Sequence, residues 1–188
     1  MFRSRTRAYA LLIPASLAAF AIAWTGWEFL RVRAERPAIA WVEQLGGQVR
    51  CDGVTPTYDR EKESLVINYD LDPTWPASWT AESIGSTVRI VEIEGAGASD
   101  LSPLATLTDL EFVHLEDVVD LDLAPLANLR RLKLVMVRNG SIRDLSPLEQ
   151  LDNLEVVVLD STRIDRQQLA ALKKSLPNSA ICTFGKTW

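Results

Sequence analysis

The sequence predicts an α/β solenoid of about four coils with parallel strands, preceded by an N-terminal transmembrane helix and a β-hairpin cap. Three observations carry this. DLSPLATLTDL, from Asp100 to Leu110, returns altered as DLAPLANLRRL from Asp122 to Leu132 and as DLSPLEQLDNL from Asp144 to Leu154, a fixed step of 22 residues. Superposition at that step fills whole columns, among them Leu107, Leu129 and Leu151, then Pro103, Pro125 and Pro147, then Val91, Val113, Val135 and Val157. Ala8 to Trp27 is an unbroken run of 20 uncharged, mostly apolar residues. A period of that length marks stacked supersecondary units, none of which buries its apolar side alone. The apolar run, at about 1.5 Å per residue, crosses a hydrocarbon core roughly 30 Å thick.

The N-terminal elements come first. With 188 residues, 47% of them hydrophobic, the chain has material for one ordinary domain and an extra segment. Residues 1–7 are a basic segment holding Arg3, Arg5 and Arg7, and residues 8–30 are the expected span, opened by Tyr9 and closed by Trp24 and Trp27 at the lipid boundary. The far flank dilutes Arg31, Arg33 and Arg36 with Glu28 and Glu35, so the positive-inside rule puts the N-terminus in the cytoplasm and the repeats outside. A cleaved signal peptide is the alternative, with small-x-small sites at Ala19-Phe20-Ala21 and Ala21-Ile22-Ala23. Beyond Arg36 the chain holds 14 basic against 23 acidic residues, a net of -9. That balance argues against nucleic acid as a partner.

Residues 31–47 read as a juxtamembrane helix. Its charged first part runs to Pro37, which is placed to open a new helix, with Ile39, Val42 and Leu45 at near-helical spacing and Gly46-Gly47 as the stop. Residues 48–87 form the N-terminal cap. QVRCDGV and SLVINYDL alternate as two strands of a hairpin, with Val49 and Cys51 on one face of the first and Leu65, Ile67 and Tyr69 on one face of the second. Asp72 to Thr80 follows as a loop bearing Trp75 and Trp79. Residues 88–184 are the repeats. Each has a strand, a turn, and a brief helical return in which, for SPLE, Ser146 caps, Pro147 takes the first position and Glu149 completes a capping box. The last unit differs, with an amphipathic helix over Asp165 to Ser175 and a final strand in LPNSAI, as an open solenoid end requires.

These columns resemble the leucine-rich repeat family, in particular its 22-residue bacterial, internalin-like type with DLSPLxxL between strands. The order of basic start, apolar span, charged helix, hairpin, Trp-bearing loop and repeats also resembles membrane-anchored leucine-rich repeat proteins of planctomycete-type bacteria. The resemblance implies a parallel-stranded solenoid and carries no biochemical activity with it. Two departures stand out. Where the family commonly has an inter-coil asparagine, this chain has Ala96, Val118, Gly140 and Thr162. Asp120 sits in a column where Ile142 and Ile164 are apolar, so a bulge is expected in the second coil.

The strand residues facing away from the solenoid core form the candidate partner-binding face: Ile90, Phe112, Leu134 and Val156 in one column, Glu92, His114, Met136 and Val158 in the next. Six of these eight are apolar, where a solvated strand would alternate. Such a stripe is expected either to bind a protein partner or to be covered within the chain by the N-terminal region. Arg89, Glu111, Lys133 and Glu155, with Glu94, Glu116, Arg138 and Asp160, supply a polar rim. Chemistry is not expected. His114 is the one histidine and its neighbours by column supply acids but no nucleophile. Cys51 and Cys182 lie too many coils apart for a disulfide, no ligand spacing suggests a metal, and GAGAS, Gly95 to Ser99, lacks the lysine of a phosphate loop. The expectation is a non-catalytic, cofactor-free membrane-anchored module that binds protein, the alternative being a structural envelope protein that self-associates through the apolar strip.

Overall fold

A coil of 22 residues forms because one register repeats down the sheet. In the computed structural model, which describes residues 30, 33–51, 53–59, 64–70, 88–95 and 100–184, strands β4 (Ile90–Glu94), β5 (Phe112–Glu116), β7 (Leu134–Asp144) and β8 (Val156–Arg163) pair in parallel, and Ile90, Phe112, Leu134 and Val156 lie side by side. A two-residue strand, β6 (Leu121–Asp122), adds a second pairing to β7. The strands are preceded by shared carbonyls: the oxygen of Arg89 accepts from the N–H groups of both Glu111 and Phe112, that of Glu111 from Lys133 and Leu134, and that of Lys133 from Glu155 and Val156. Strand β9 (Ala180–Phe184) joins β8 with Val156 opposite Ala180. That step is two residues longer because its return segment is a helix, α2 (Arg166–Ser175), capped by Asp165, whose carboxylate accepts from the Gln167 N–H at 2.8 Å.

Inward columns such as Val91, Val113, Val135 and Val157, together with every leucine of the repeated phrase, are buried in one core. The result is a parallel-stranded solenoid with one turn per 22-residue repeat. Its return segments are 3-10 turns at Ser102–Thr106, Ala124–Leu126 and Ser146–Gln150, each with proline in its first positions. The capping box expected around Ser146 is not what starts them. The aspartate two residues earlier does: Asp100, Asp122 and Asp144 each accept from a backbone N–H, of Ser102, Ala124 and Ser146, at 2.9 Å. Ser146 gives its hydroxyl to the same Asp144 at 2.6 Å, while Glu149 accepts from the Ser175 hydroxyl. An aspartate outbids a serine hydroxyl here because a charged acceptor makes the stronger bond.

The missing asparagine column is replaced position by position. Val118 and Thr162 are buried, and Thr162 donates its hydroxyl to the carbonyl of Val137, one coil back, at 3.0 Å. Gly140 serves by being small, since a Cβ there would stand 2.6 Å from the Val118 carbonyl oxygen. The bulge expected near Asp120 is present. Leu121 takes the place opposite Ile142 and the register shifts at Leu121/Asp122. Asp120 turns outward with φ 53° to meet Arg143 at 2.6 Å, and that guanidinium holds its carboxyl below the usual range.

The N-terminal cap departs from expectation in two ways. Residues 33–44 are one continuous helix, α1, which runs through Pro37 instead of restarting there. Gly46 then ends the helix in the left-handed region, with φ 75°, and the N–H groups of Gly46 and Gly47 return to the carbonyls of Glu43 and Val42, the double closure of a glycine C-cap. Ala38 and Val42 plug the end of the solenoid core. Strand β1 (Gln48–Arg50) does not pair with SLVINYD. It runs antiparallel along β4, Val49 opposite Val91, and so gives the sheet its first edge. The hairpin is instead β2 (Gly53–Asp59) with β3 (Ser64–Asp70), a sheet of its own, and Pro56, from the stretch between QVRCDGV and SLVINYDL, sits within β2 opposite Ile67. Proline is admissible there because β2 is an edge strand. The expected membrane helix, residues 8–30, and the Trp-bearing loop, Asp72 to Thr80, lie outside the described residues except for Leu30. Among the described residues no helix is long and apolar enough to cross a membrane.

Candidate interaction face

The strand register assembles the eight candidate residues as the columns require. Ile90, Phe112, Leu134 and Val156 form one continuous row, and Glu92, His114, Met136 and Val158 the next. Strand β9 extends both rows, with Ala180 beside Val156 and Cys182 beside Val158. The rows are not open to solvent, which is the second of the two expectations for this stripe, cover from within the chain. Ile90, Phe112, Leu134, Val156 and Val158 are at most 4% exposed, and Glu92, His114 and Met136 are half-buried.

The cover is the chain's own hairpin. Tyr58, Leu65 and Ile67 pack against Ile90, Phe112, Leu134, Val156, Val158 and Cys182 as a second apolar core on the far side of the sheet. Alternation makes this possible: Pro56 opposes Ile67 and Tyr58 opposes Leu65, so these four side chains share one face, while Thr55, Thr57, Val66 and Asn68 are exposed on the other. A parallel sheet covered on both faces accounts for the near-continuous apolar strands LVMV and VVVL. Leu65 and Ile67 were legible as one face of a strand. Tyr58 was not singled out, although its spacing of two from Pro56 placed it on the same face.

Two charged ladders border the stripe. On one side Glu111, held between Arg89 at 3.7 Å and Lys133 at 2.9 Å, is itself nearly buried. On the other Arg138 bridges Glu116 at 3.8 Å and Asp160 at 3.5 Å. The more exposed pairs of Arg138 contribute little to stability, about 0 to 1 kcal/mol each, and both ladders place charges of alternating sign along the rims. Beyond the first ladder, Pro56 and Tyr58 of the hairpin and Glu155, Asn178 and Ala180 of the last coil line a cavity of about 540 Å³.

His114 lies within this frame with its ring nearly parallel to Phe112, at a centroid distance of 6.4 Å, and its Nε2 4.0 Å from a Glu116 carboxylate oxygen. That nitrogen is buried and has no hydrogen-bond partner among the described residues. Its register neighbours are Glu92 and Met136, an acid and a thioether, and neither is a nucleophile for it to activate. Cys51 is half-buried beside strand β1 and Cys182 is buried in β9. Among the described residues no group of three His, Cys, Asp or Glu side chains is placed to hold a metal ion.

No family model matches the chain, and no curated protein sequence does. Among solved structures it is similar to an internalin C2 from Listeria monocytogenes, at 34% identity over 45% of this chain and 37% of that one, with a TM-score of 0.38. A second internalin from the same organism gives 32% identity over 46% and 24%, with a TM-score of 0.36. The leucine-rich repeat ectodomain of the receptor kinase SOBIR1 from Arabidopsis thaliana gives 10% identity over 82% and 92%, with a TM-score of 0.38. The chain thus spans 37% and 24% of the length of the two internalins.

Proposed function

We propose that this chain is a non-catalytic protein-interaction module, held at a membrane by residues 8–30 with its N-terminus cytoplasmic and its solenoid outside. In this reading a protein partner is received on the strand face formed by Ile90, Glu92, Phe112, His114, Leu134, Met136, Val156 and Val158. The observation that carries the reading is the stripe itself: an apolar row with a charged ladder on each side, already occupied by a β-ribbon of the same chain. A face that seats one ribbon has the shape and polarity to seat another. The alternative, a structural envelope protein that self-associates through the apolar strip, is the poorer account, because that strip is filled within each chain.

The test is affinity capture from native membranes with the wild-type chain and Met136→Glu, both shown to be folded by circular dichroism. Met136 is half-buried at the border of the stripe, so a charge there alters the seat while reaching water. A partner present with wild type and lost with the variant supports the strand face. The same set with both, or none with either, rejects it.

A further inference from the structure

The hairpin that fills the strand face differs from every other described strand in how it is held. Strands β4, β5, β7, β8 and β9 and the antiparallel edge β1 belong to one hydrogen-bonded sheet, whereas β2 and β3 pair only with each other. Two-stranded ribbons are marginal on their own in water, so this one persists by what it packs against. The apolar seat of the hairpin is narrow: Tyr58, Leu65 and Ile67, all half-buried, meet the stripe, while Val66 at 52% exposed and Thr55, Thr57 and Asn68 face outward. The solenoid beneath has its own complete core on the opposite side of the sheet, with every leucine column filled independently of the hairpin.

We propose that the β2–β3 hairpin is an intramolecular occupant of the strand face. It leaves the face as a unit, and its place is taken by a protein segment that presents extended backbone with apolar side chains at alternate positions, as Leu65 and Ile67 do. This rests on the reading of the strand face as the partner seat and adds that the seat is closed in the resting chain. The solenoid stays folded when the hairpin leaves, because no strand pairing of the sheet is lost. The stripe then exposed is apolar at its centre, and the ladders of Glu111 with Lys133 and of Arg138 with Asp160 are already in place to set the register of the incoming strand. The hairpin competes at the high effective concentration of a tethered segment, so a partner must match its apolar spacing closely to displace it.

Two measurements on the full chain in detergent test this. The first is native-state hydrogen exchange of the wild type. The amides of Gly53–Asp59 and Ser64–Asp70 should exchange at least about 100-fold faster than the slowest amides of β5 and β7, as a separately opening unit does. Protection equal to that of β5 and β7 overturns the proposal, since the hairpin would then open only with the whole domain. The second uses a labelled synthetic peptide of residues 53–70 as probe, with the wild type and the double variant Leu65→Asp/Ile67→Asp. The vacated face of the folded variant should bind the peptide at least about 10-fold more tightly than the wild type does. Equal affinities in two folded proteins overturn the proposal. If the double variant does not fold, the exchange measurement decides alone. Neither readout involves a native partner, so a hairpin that opens and rebinds while no partner is captured would sink the functional reading and with it the displacing segment, while the hairpin as a separately opening occupant of the face would stand.

Discussion

Ser161, with φ 51°, occupies a backbone conformation that costs an L-residue roughly 1–2 kcal/mol, and it does so because of where it falls in the coil. Gly95, Asp117, Asn139 and Ser161 recur at the 22-residue step, and all four have positive φ, from 50° to 111°. The glycine, aspartate and asparagine in that column were the available signal for a left-handed turn after each strand, and the serine is the least suited of the four. Ser161→Gly should therefore raise stability by about 0.5–1 kcal/mol, read as a higher urea midpoint. The aspartates that open the return turns make a second prediction. Asp100 and Asp144 have carboxyls held below their ordinary value of 3.8 by bonds from Ser102 and Ser146. A carboxyl depressed in the folded state adds stability that is complete above 3.8 and is lost as pH falls below it. The urea midpoint should drop on acidification through that range, and Asp100→Asn/Asp144→Asn should flatten the drop. The repeated Asp was in plain view as the first letter of DLSPL. Ser146 and Glu149 drew the capping assignment because S-x-x-E fits a general helix signature, which a turn too short to be an α-helix does not use.

Elements of the solenoid were legible because hydrophobic columns at a fixed step leave one register open. Elements of the cap were not, because alternation tells which face of a strand is apolar but not which strand lies beside it. QVR and SLVINYD both alternate, yet β1 completes the edge of the solenoid sheet at β4 and leaves β3 to pair with β2. Leu134 shows the consequence. Read as an outward residue, it invites substitution by glutamate as a harmless probe of binding. Placed between β5 and β8 and beneath the hairpin, fully buried, Leu134→Glu puts a carboxylate in an apolar layer and should cost more than about 3 kcal/mol or abolish cooperative unfolding. Val119→Glu, at a residue 66% exposed, should change stability by less than about 0.5 kcal/mol in the same denaturant series. Gly140→Ala tests the coil-to-coil spacing. Its Cβ would meet the Val118 carbonyl oxygen at 2.6 Å and a Val118 methyl at 2.7 Å, and since backbone cannot step aside without moving a coil, a loss of about 1–3 kcal/mol is expected.

At the scale of the whole molecule the question is how a covered face would work together with the proposed membrane anchor. The proposed anchor rests on 20 uncharged residues between three arginines and a flank of mixed charge, and the described part of the chain begins at the end of the expected span with Leu30 and helix α1. Helix α1 ends in the solenoid core through Ala38 and Val42, so a span at residues 8–30 would hold the first coil a few helical turns from the bilayer. A partner on the same membrane would then meet the stripe at a high local concentration, and this is the condition under which displacing a tethered hairpin becomes favourable. This proposed arrangement holds only if residues 8–30 are retained as a span. If the run is a span, the full chain should remain in the membrane fraction through high salt and alkaline carbonate, and be released only by detergent, while a chain starting at Pro37 should be fully soluble. A cleaved leader gives the opposite result: the mature protein loses residues up to Ala21 or Ala23 by N-terminal sequencing, and carbonate releases it. In that case the solenoid and its hairpin keep their fold, because α1 and everything after it lie beyond either site, but the partner must be sought in solution.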